Sequence, residues 1–525
     1  MRSTFMGLET SKRGMFTQQS ALYTTGHNIS NANTLGYSRQ RVNMQATAGF
    51  PGVGLNTPTM PGFLGTGVEA GSIQRIRDSF VDQQFRGESN KLGYWESRTK
   101  AISQMEDVLA EPSAYGLQQS LSNFWQSLQT LATNPENGGA RAVAVENGVA
   151  VADSFNYIHK SLSEIQTNLG KEIGVSTKNI NSIFKQIGEL NKQIGEVEPN
   201  GYMPNDLYDA RDTLLDELAG YLPIEVSYEQ SGGNALAIAE GTVTVKIKTN
   251  DPANPFITVV QKNSYSELSA VGNAGTDADG NPQGPMTNFT FTGGPADGQE
   301  MSVNDMHTAG SLKSLTDSYG YDTGQLDSDG KKIIKGLYPE MLAKLDKMAR
   351  VFAEEFNAVN VAGTDLNGEQ GLAFFVSKDG QAINASNIGV NSDIEKDPNK
   401  IAASSSEKLD PAKPEVGNGE NAKLLGDVLF NKLPGLEGSS VQSYYSGVIG
   451  ELGVQGEQSI RMAQNAITLL GAVSNQRDSI SSVSLDEEMT NMIKFQQAYN
   501  ASARMVTVID ETLDKIINGM GVVGR

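Results

Sequence analysis

The chain has 525 residues, 38% hydrophobic and 19% charged, with a formal net charge of −20 and no cysteine. That length calls for several hydrophobic cores rather than one, and the acidic balance argues against a nucleic-acid groove and against an anionic membrane surface. The missing cysteines exclude disulfides, zinc–thiolate sites and iron–sulfur clusters, and no run approaches the roughly 20 apolar residues of a membrane span.

Residues 4–30 read as one amphipathic helix. Leu8, Met15, Leu22 and Ile29 recur at steps of seven, with Phe5, Phe16 and Tyr23 beside them, the spacing of a coiled-coil seam. The run Asn28-Ile29-Ser30-Asn31-Ala32-Asn33-Thr34-Leu35-Gly36 ends it, because Asn tolerates left-handed backbone and Gly takes positive φ at little cost. Residues 37–46 alternate as a strand, with Ser38, Gln40, Val42, Met44 and Ala46 on one side. A Gly/Pro loop follows at 49–67, and a second short strand at 68–76 makes a hairpin-like extension. Arg39 and Arg41 on this hairpin suit contacts with acidic neighbours or a solvated face equally well.

Val81, Phe85, Leu92, Trp95, Ile102, Met105 and Leu109 predict a helix from Asp78 onward. Glu111-Pro112 interrupts it, a second helix runs over 117–131, and Asn134–Gly139 is a turn. A long helix spans about 140–197, striped by Phe155, Ile158, Leu162, Ile165, Leu169, Ile173, Ile180, Ile187 and Ile194, with Gly170 and Gly174 expected to bend it or shift its register. Such a helix needs partners along its whole face. Another helix over 206–222 stops at Pro223. From Ile224 to Phe291 the pattern turns to β-branched stretches, such as Thr242–Ile247 and Phe256–Val260, separated by turn-rich strings, which reads as a small inserted β domain. Helical spacing returns at 337–359, residues 361–440 are mixed with a polar patch over 392–420, and 440–479 is helical again. Ser484-Leu485-Asp486-Glu487 reads as a capping box, Ser484 at N-cap and Glu487 three residues on, opening a last helix that ends near Asn518. Leu485, Met492, Tyr499, Val506, Leu513 and Met520 recur in it at steps of seven, with Phe495, Ile509 and Ile516 between them.

These elements predict a multidomain α+β protein. Its terminal helices pair as a coiled coil (1–60 with 480–525), an elongated helical bundle forms the middle (61–222 with 331–479), and a small β-rich domain is inserted at 223–330, farthest from the paired ends. Seams at the two extremities of a chain meet each other or meet other copies, and either arrangement marks an assembly part. The candidate assembly interface is Leu8, Met15, Leu22, Ile29, Leu485, Met492, Phe495, Tyr499, Val506, Ile509, Leu513 and Ile516. Burying one such side chain yields roughly 1.5–3 kcal/mol. Isolated helices of this length are marginal, so both ends are expected to fray in the free subunit and to order on assembly.

The segment Asn28–Tyr37 resembles the shared N-terminal signature of bacterial flagellar axial proteins, the rod, hook and hook-associated proteins. Asn28, Asn31, Asn33, Gly36, Tyr37 and Arg39 carry that signature. Gly36-Tyr37-Ser38-Arg39-Gln40 is nearer to the hook-associated members than to rod and hook proteins, which more often have Gly-Phe-Lys here. Val483–Glu488, Phe495-Gln496-Gln497-Ala498-Tyr499 and the stretch Phe352–Phe375, with Gly363-Thr364-Asp365-Leu366-Asn367-Gly368, resemble the same members. The region from about 224 to 330 carries no family signature. The resemblance implies a structural part in a short layer joining the flagellar hook to the flagellin filament. The implied partners are copies of itself, hook protein, a second junction protein, and a flagellar export chaperone at the C-terminal helix. The implied location is extracellular, on the flagellum, reached through the flagellar type III apparatus without a cleaved signal peptide. Met1–Lys12 has no apolar h-region, in keeping with that route. The rivals are another axial protein, from the hook or distal rod, and an exported coiled-coil adhesin, which would have no need of the Asn-rich turn.

Enzyme chemistry has little footing. His27, His159 and His307 are the only histidines, and none sits in a ligand-spaced cluster. Asp277-Ala278-Asp279-Gly280, Asp327-Ser328-Asp329-Gly330 and Asp365-Leu366-Asn367-Gly368 echo a calcium loop but lack its first acidic ligand and its closing Glu, so they read as turns. Gly65–Ala70 and Gly417–Ala422 follow no apolar strand and read as loops rather than dinucleotide sites. No cofactor, metal or catalytic set is expected.

Overall fold

The computed structural model describes residues 5–50, 64–109, 116–327, 330–405 and 415–519. The Glu111-Pro112 break, the centre of the Gly/Pro loop and Met520 lie outside the described residues. The α-helices among them are α1 (Met6–Ser30), α2 (Ser79–Leu109), α3 (Leu117–Thr133), α4 (Gly138–Val197), α5 (Asn205–Tyr221), α6 (Ser311–Tyr319), α7 (Leu337–Ala362), α8 (Ser392–Lys396), α9 (Glu420–Asp427), α10 (Val441–Ser481) and α11 (Leu485–Gly519).

The two ends of the chain form an antiparallel helix pair. A Cβ on Gly7 would lie 3.3 Å from Ile509 and one on Gly14 3.3 Å from Ser502, while Asn28 bonds Glu488. Seven residues forward on α1 therefore match seven back on α11, and the two heptad stripes close one seam against each other. Beside α1 lies the hairpin of β1 (Gln40–Ala46) and β2 (Val68–Arg75), in register from Gln40 opposite Arg75 to Ala46 opposite Val68. Thr17 Oγ1 donates to Val68 O at 3.1 Å and ties the hairpin to the helix.

The middle is a bundle in which α2 packs along α10 and α4 runs beneath α3, α5, α6 and α7. The α4 helix starts where the Asn137 side chain accepts from the amides of Gly139 and Ala140, an N-cap at the predicted turn. Its 60 residues span about 90 Å. The helix runs unbroken through Gly170 and Gly174, and what these glycines supply is clearance. A Cβ would come within 2.9 Å of the Tyr319 ring at the first and 2.2 Å of Asn281 Oδ1 at the second, so the inserted region lies directly on this face.

That region holds two sheets. One is antiparallel, β3 (Ile224–Glu229), β4 (Thr242–Lys248), β5 (Phe256–Gln261) and β6 (Ser264–Tyr265) in that order. The other comprises β7 (Glu267–Gly272), β8 (Met286–Thr292), β9 (Glu300–Ser302), β10 (Tyr321–Leu326) and β11 (Lys332–Lys335), in the order β11-β10-β8-β7 with β9 also on β8. Two asparagines of α4 complete the backbone bonding of the insertion: Asn181 exchanges bonds with Leu268, and Asn191 with Val243. Helix α6, inside this region, has no counterpart among the predicted elements. It is one short amphipathic stretch, Leu312 and Leu315 facing in, set between turn-rich strings. The short strands β12 (Phe375–Ser377) and β13 (Ile388–Val390) pair beside α7 and α4. Asp277 and Asp365 accept from amides two and four residues on, so their strings are turns.

One contiguous apolar core joins bundle and sheets from Ala101 to Leu452, with Phe124, Phe352, Phe356, Phe374 and Phe375 packed ring on ring. No described residue before Ala101 or after Leu452 belongs to it. The architecture is a multidomain α+β fold with its terminal helices paired. Contrary to expectation, the inserted sheets do not lie farthest from that pair: Glu240, between β3 and β4, binds Arg75 at the end of β2, and it is the start of α4, packed by Phe374 and bonded through Arg141 to Asn399 and Ile401, that lies away from it.

Candidate assembly site: the terminal helix pair and its polar root

The signature residues build the turn where the pair meets the body. Asn28 is buried and fully bonded: its amide donates to Gln40 O (2.8 Å) and Glu488 Oε2 (3.2 Å), and its oxygen accepts from Tyr37 O–H (2.8 Å) and Gln40 N (3.0 Å). Because the Tyr37 proton goes to Asn28, His27 Nδ1 at 2.9 Å is the donor to the same hydroxyl, and His27 Nε2 accepts from Asn31 Nδ2. Burial, with Asp206, Asp209 and Glu488 nearby, pushes the Tyr37 phenol well above its ordinary range and keeps it a donor. Gly36 sits at φ +79°, and a Cβ there would lie 2.2 Å from Thr213 Oγ1, so both backbone and space demand glycine. Asn33 is exposed in the turn. Arg39 reaches Glu488 through Nε (2.8 Å) and Glu487 through both terminal nitrogens (2.9 and 2.7 Å). Helix α11 does begin after Ser484, but Glu487 gives both carboxylate oxygens to Arg39 rather than closing a capping box. Arg41 is exposed.

Below this turn lies a cluster of five guanidinium and five carboxylate groups. Arg75, at the end of β2, meets Asp209 (2.6 Å), Asp212 (2.9 Å) and Glu240. Arg77 forks onto Asp82 and reaches Asp212, and Arg86 bridges Asp212 and Asp216. Arg211 holds Glu240, and Arg477 near the end of α10 bonds Asp82 (3.0 Å) and Asp216 (2.7 Å). Burial alone would raise the pKa of Asp212, but Arg77, Arg75 and Arg86 reverse this and hold it well below the usual carboxylate range. The sequence reading missed this cluster. One signal was available: Asp206, Asp209, Asp212 and Asp216 share a face of α5 at helical spacing.

The predicted interface residues divide. Leu8, Met15, Leu22, Ile29, Met492, Phe495, Tyr499, Val506 and Ile509 are half-buried, Leu513 is buried, and Leu485 and Ile516 stay exposed. Exposed apolar side chains also occupy the flanks of the seam. In the heptad frame Met489, Ile493 and Ile517 fall on one side of α11, Met505 and Val508 on the other, while α1 exposes Phe16 and Tyr23. No helix among the described residues is long and apolar enough to cross a membrane.

The last helix places the chain in a class. Residues 474–519, the end of α10 and all of α11, match the family described as flagellar basal body rod FlgEFG protein C-terminal, which relates this helix to those of flagellar rod proteins. Residues 102–375 match the family described as flagellar hook-associated protein FlgK helical domain. The chain is also 44% identical over 529 residues to flagellar hook-associated protein 1 of Bacillus subtilis (strain 168), with 100% of each chain covered. It belongs to the flagellar hook-associated protein FlgK family. Flagellar hook-associated protein 1 of Salmonella typhimurium is 25% identical, with 96% of this chain and 98% of that one covered. The solved flagellar hook junction protein FlgK from Burkholderia pseudomallei shares the fold, with a TM-score of 0.58 and 14% identity over 77% of this chain and 100% of that one. The names of these relatives describe flagellar components, not enzymes.

Proposed function

We propose that the chain is the structural subunit that joins the flagellar hook to the flagellin filament, and that the outward faces of the terminal helix pair dock on neighbouring subunits. The observation that carries this reading is the apolar flanks of α11. Met489, Ile493, Met505 and Val508 are 51–56% exposed although a two-helix pair has only one seam to bury. Completing their burial would yield roughly 1 kcal/mol each, and because one neighbour covers only one side of α11 it contributes about 2 kcal/mol, less than the lower bound of the 4–15 kcal/mol association cost. Free subunits therefore stay apart, helped by mutual repulsion at −20, until an end presents several matching surfaces at once. The seam residues Leu8, Met15, Leu22 and Ile29, with Met492, Phe495, Tyr499, Val506, Ile509 and Leu513, hold the pair together. Leu485 and Ile516 add to its outward face.

On this reading the neighbours are copies of the chain, hook protein on one side and a second junction protein on the other. A flagellar export chaperone covers α11 before export, the exposed apolar flanks being the surface it would bind. The chain leaves the cell through the flagellar export apparatus without a cleaved signal peptide. Residues 1–60 with 480–525 form the docking domain, 61–222 with 331–479 the body and 223–330 the insertion. The half-burial of the seam supports partial fraying of the pair in the free subunit, which limited proteolysis reads directly. The deciding experiment is a deletion strain: hooks form and flagellin is shed into the medium if the chain is the junction, and filaments grow normally if it is not.

A further inference from the structure

The terminal pair is attached to the body almost without apolar contact. The contiguous core ends at Leu452, and the connection from α10 to α11 is the extended stretch Ser482-Val483-Ser484. Charges bracket that stretch on both sides. Before it, Arg477 binds Asp82 of α2 and Asp216 of α5, its guanidinium 4.7 Å from the centre of the Phe85 ring. After it, Glu487 and Glu488 bind Arg39, whose own amide donates to Ser481 O at 2.9 Å. Bidentate guanidinium–carboxylate bonds fix direction as well as distance. On the α1 side Ser38 N donates to Asp209 and Gln40 bonds Asp206 and Asn205 of α5; on the α11 side the extended three-residue link fixes no angle of its own, and the arginines supply it.

We infer that Arg39 and Arg477 are positioning residues: a two-arginine clasp across Ser482–Ser484 sets the angle at which the terminal helix pair leaves the body. The clasp rests on the assembly reading for its use, because that angle decides how the flanks of α11 meet a neighbour, but its geometry is a property of the free subunit. The chain has no cysteine, so Gln19→Cys on α1 and Lys160→Cys on α4, both at exposed positions, carry two spin labels without background. Electron-resonance distance distributions across the root are then compared in Arg39→Gln and Arg477→Gln. The expected result is a distribution at least twice as broad, with helix content by circular dichroism unchanged. Glu487→Gln, a change at an exposed side chain that leaves folding intact, gives a smaller broadening. Glu437→Gln, which breaks the surface pair with Lys347 elsewhere on the body, gives none. Widths equal to wild type in all the clasp variants would overturn the inference. Broadening with normal attachment to hook ends would leave the clasp standing and count against the assembly reading instead.

Discussion

Replacing Ile493 and Met505 together by Ser separates docking from folding. Both side chains are more than half exposed in the subunit, so the change lies within about 0.5 kcal/mol for monomer stability. Full burial of either is worth about 2 kcal/mol, and about half of that remains to be gained on docking. The double variant therefore forfeits about 2 kcal/mol per subunit added, which at tenfold per 1.4 kcal/mol raises the concentration needed to assemble on hook ends about 30-fold. The assay is sedimentation of purified subunit with isolated hooks across a concentration series, read beside a urea midpoint for the free subunit. A seam variant, Leu22→Ser, makes the contrast, since it weakens the α1–α11 pair itself and lowers helix content before any partner is added. Unchanged assembly by the double variant would refute the docking role of the flanks. A urea midpoint that falls as far as assembly does would show that these side chains serve the subunit's own fold.

Gly36→Ala should cost about 1–2 kcal/mol by urea unfolding from its left-handed φ alone, with a further loss from the contact with Thr213 that Thr213→Ala partly restores. Asp212→Asn leaves Arg75, Arg77 and Arg86 without their shared carboxylate and should cost about 3–5 kcal/mol. Because the folded pKa of Asp212 is depressed, its contribution is present in full above the unfolded value of about 4 and is lost as pH falls below it. Wild-type urea midpoints should accordingly fall more steeply below about pH 4, and on down toward the depressed folded value, than those of Asp212→Asn, and parallel profiles would contradict the assignment. Glu488→Gln, at a buried carboxylate shared by Arg39 and Asn28, should cost about 1.5–3 kcal/mol, and Glu487→Gln, at an exposed one, under 1 kcal/mol.

Long elements were legible because their signal is periodic. The stripes over α1, α2, α4, α7, α10 and α11 placed these helices to within a few residues, and the alternation over residues 37–46, with a second short strand expected at 68–76 after the Gly/Pro loop, placed the hairpin. A heptad stripe, however, states that a face is apolar and not what covers it, so two seams alone could not distinguish a partner in the same chain from one in another. The glycines of α4 show a second limit. A glycine in a helical pattern reads as weakness, and only the packed structure reveals Tyr319 and Asn281 in the space it leaves. The root was the least legible part. Arg75 and Arg86 lie 134 and 130 residues from Asp209 and Asp216 on α5, about the length of a whole domain, and ion pairs at such separation leave no period in the chain.

A root made of charges suits a subunit whose ends must stay available. Had Asp82, Asp212 and Asp216 and their arginines been Leu and Phe, the site would offer the flanks of α11 an apolar surface on their own body, at the same 25 cal/mol per Å² or so that a neighbour offers, and at far higher effective concentration. Met489, Ile493, Met505 and Val508 would then fold back rather than out. An ionic cluster offers no such alternative, because its paired Arg and Asp groups present the flanks with no apolar surface to bury against. The root holds the pair in one register through Asn28, Arg39 and Glu488, and on the proposed reading the hydrophobic gain of the flanks is left to be realised against another chain.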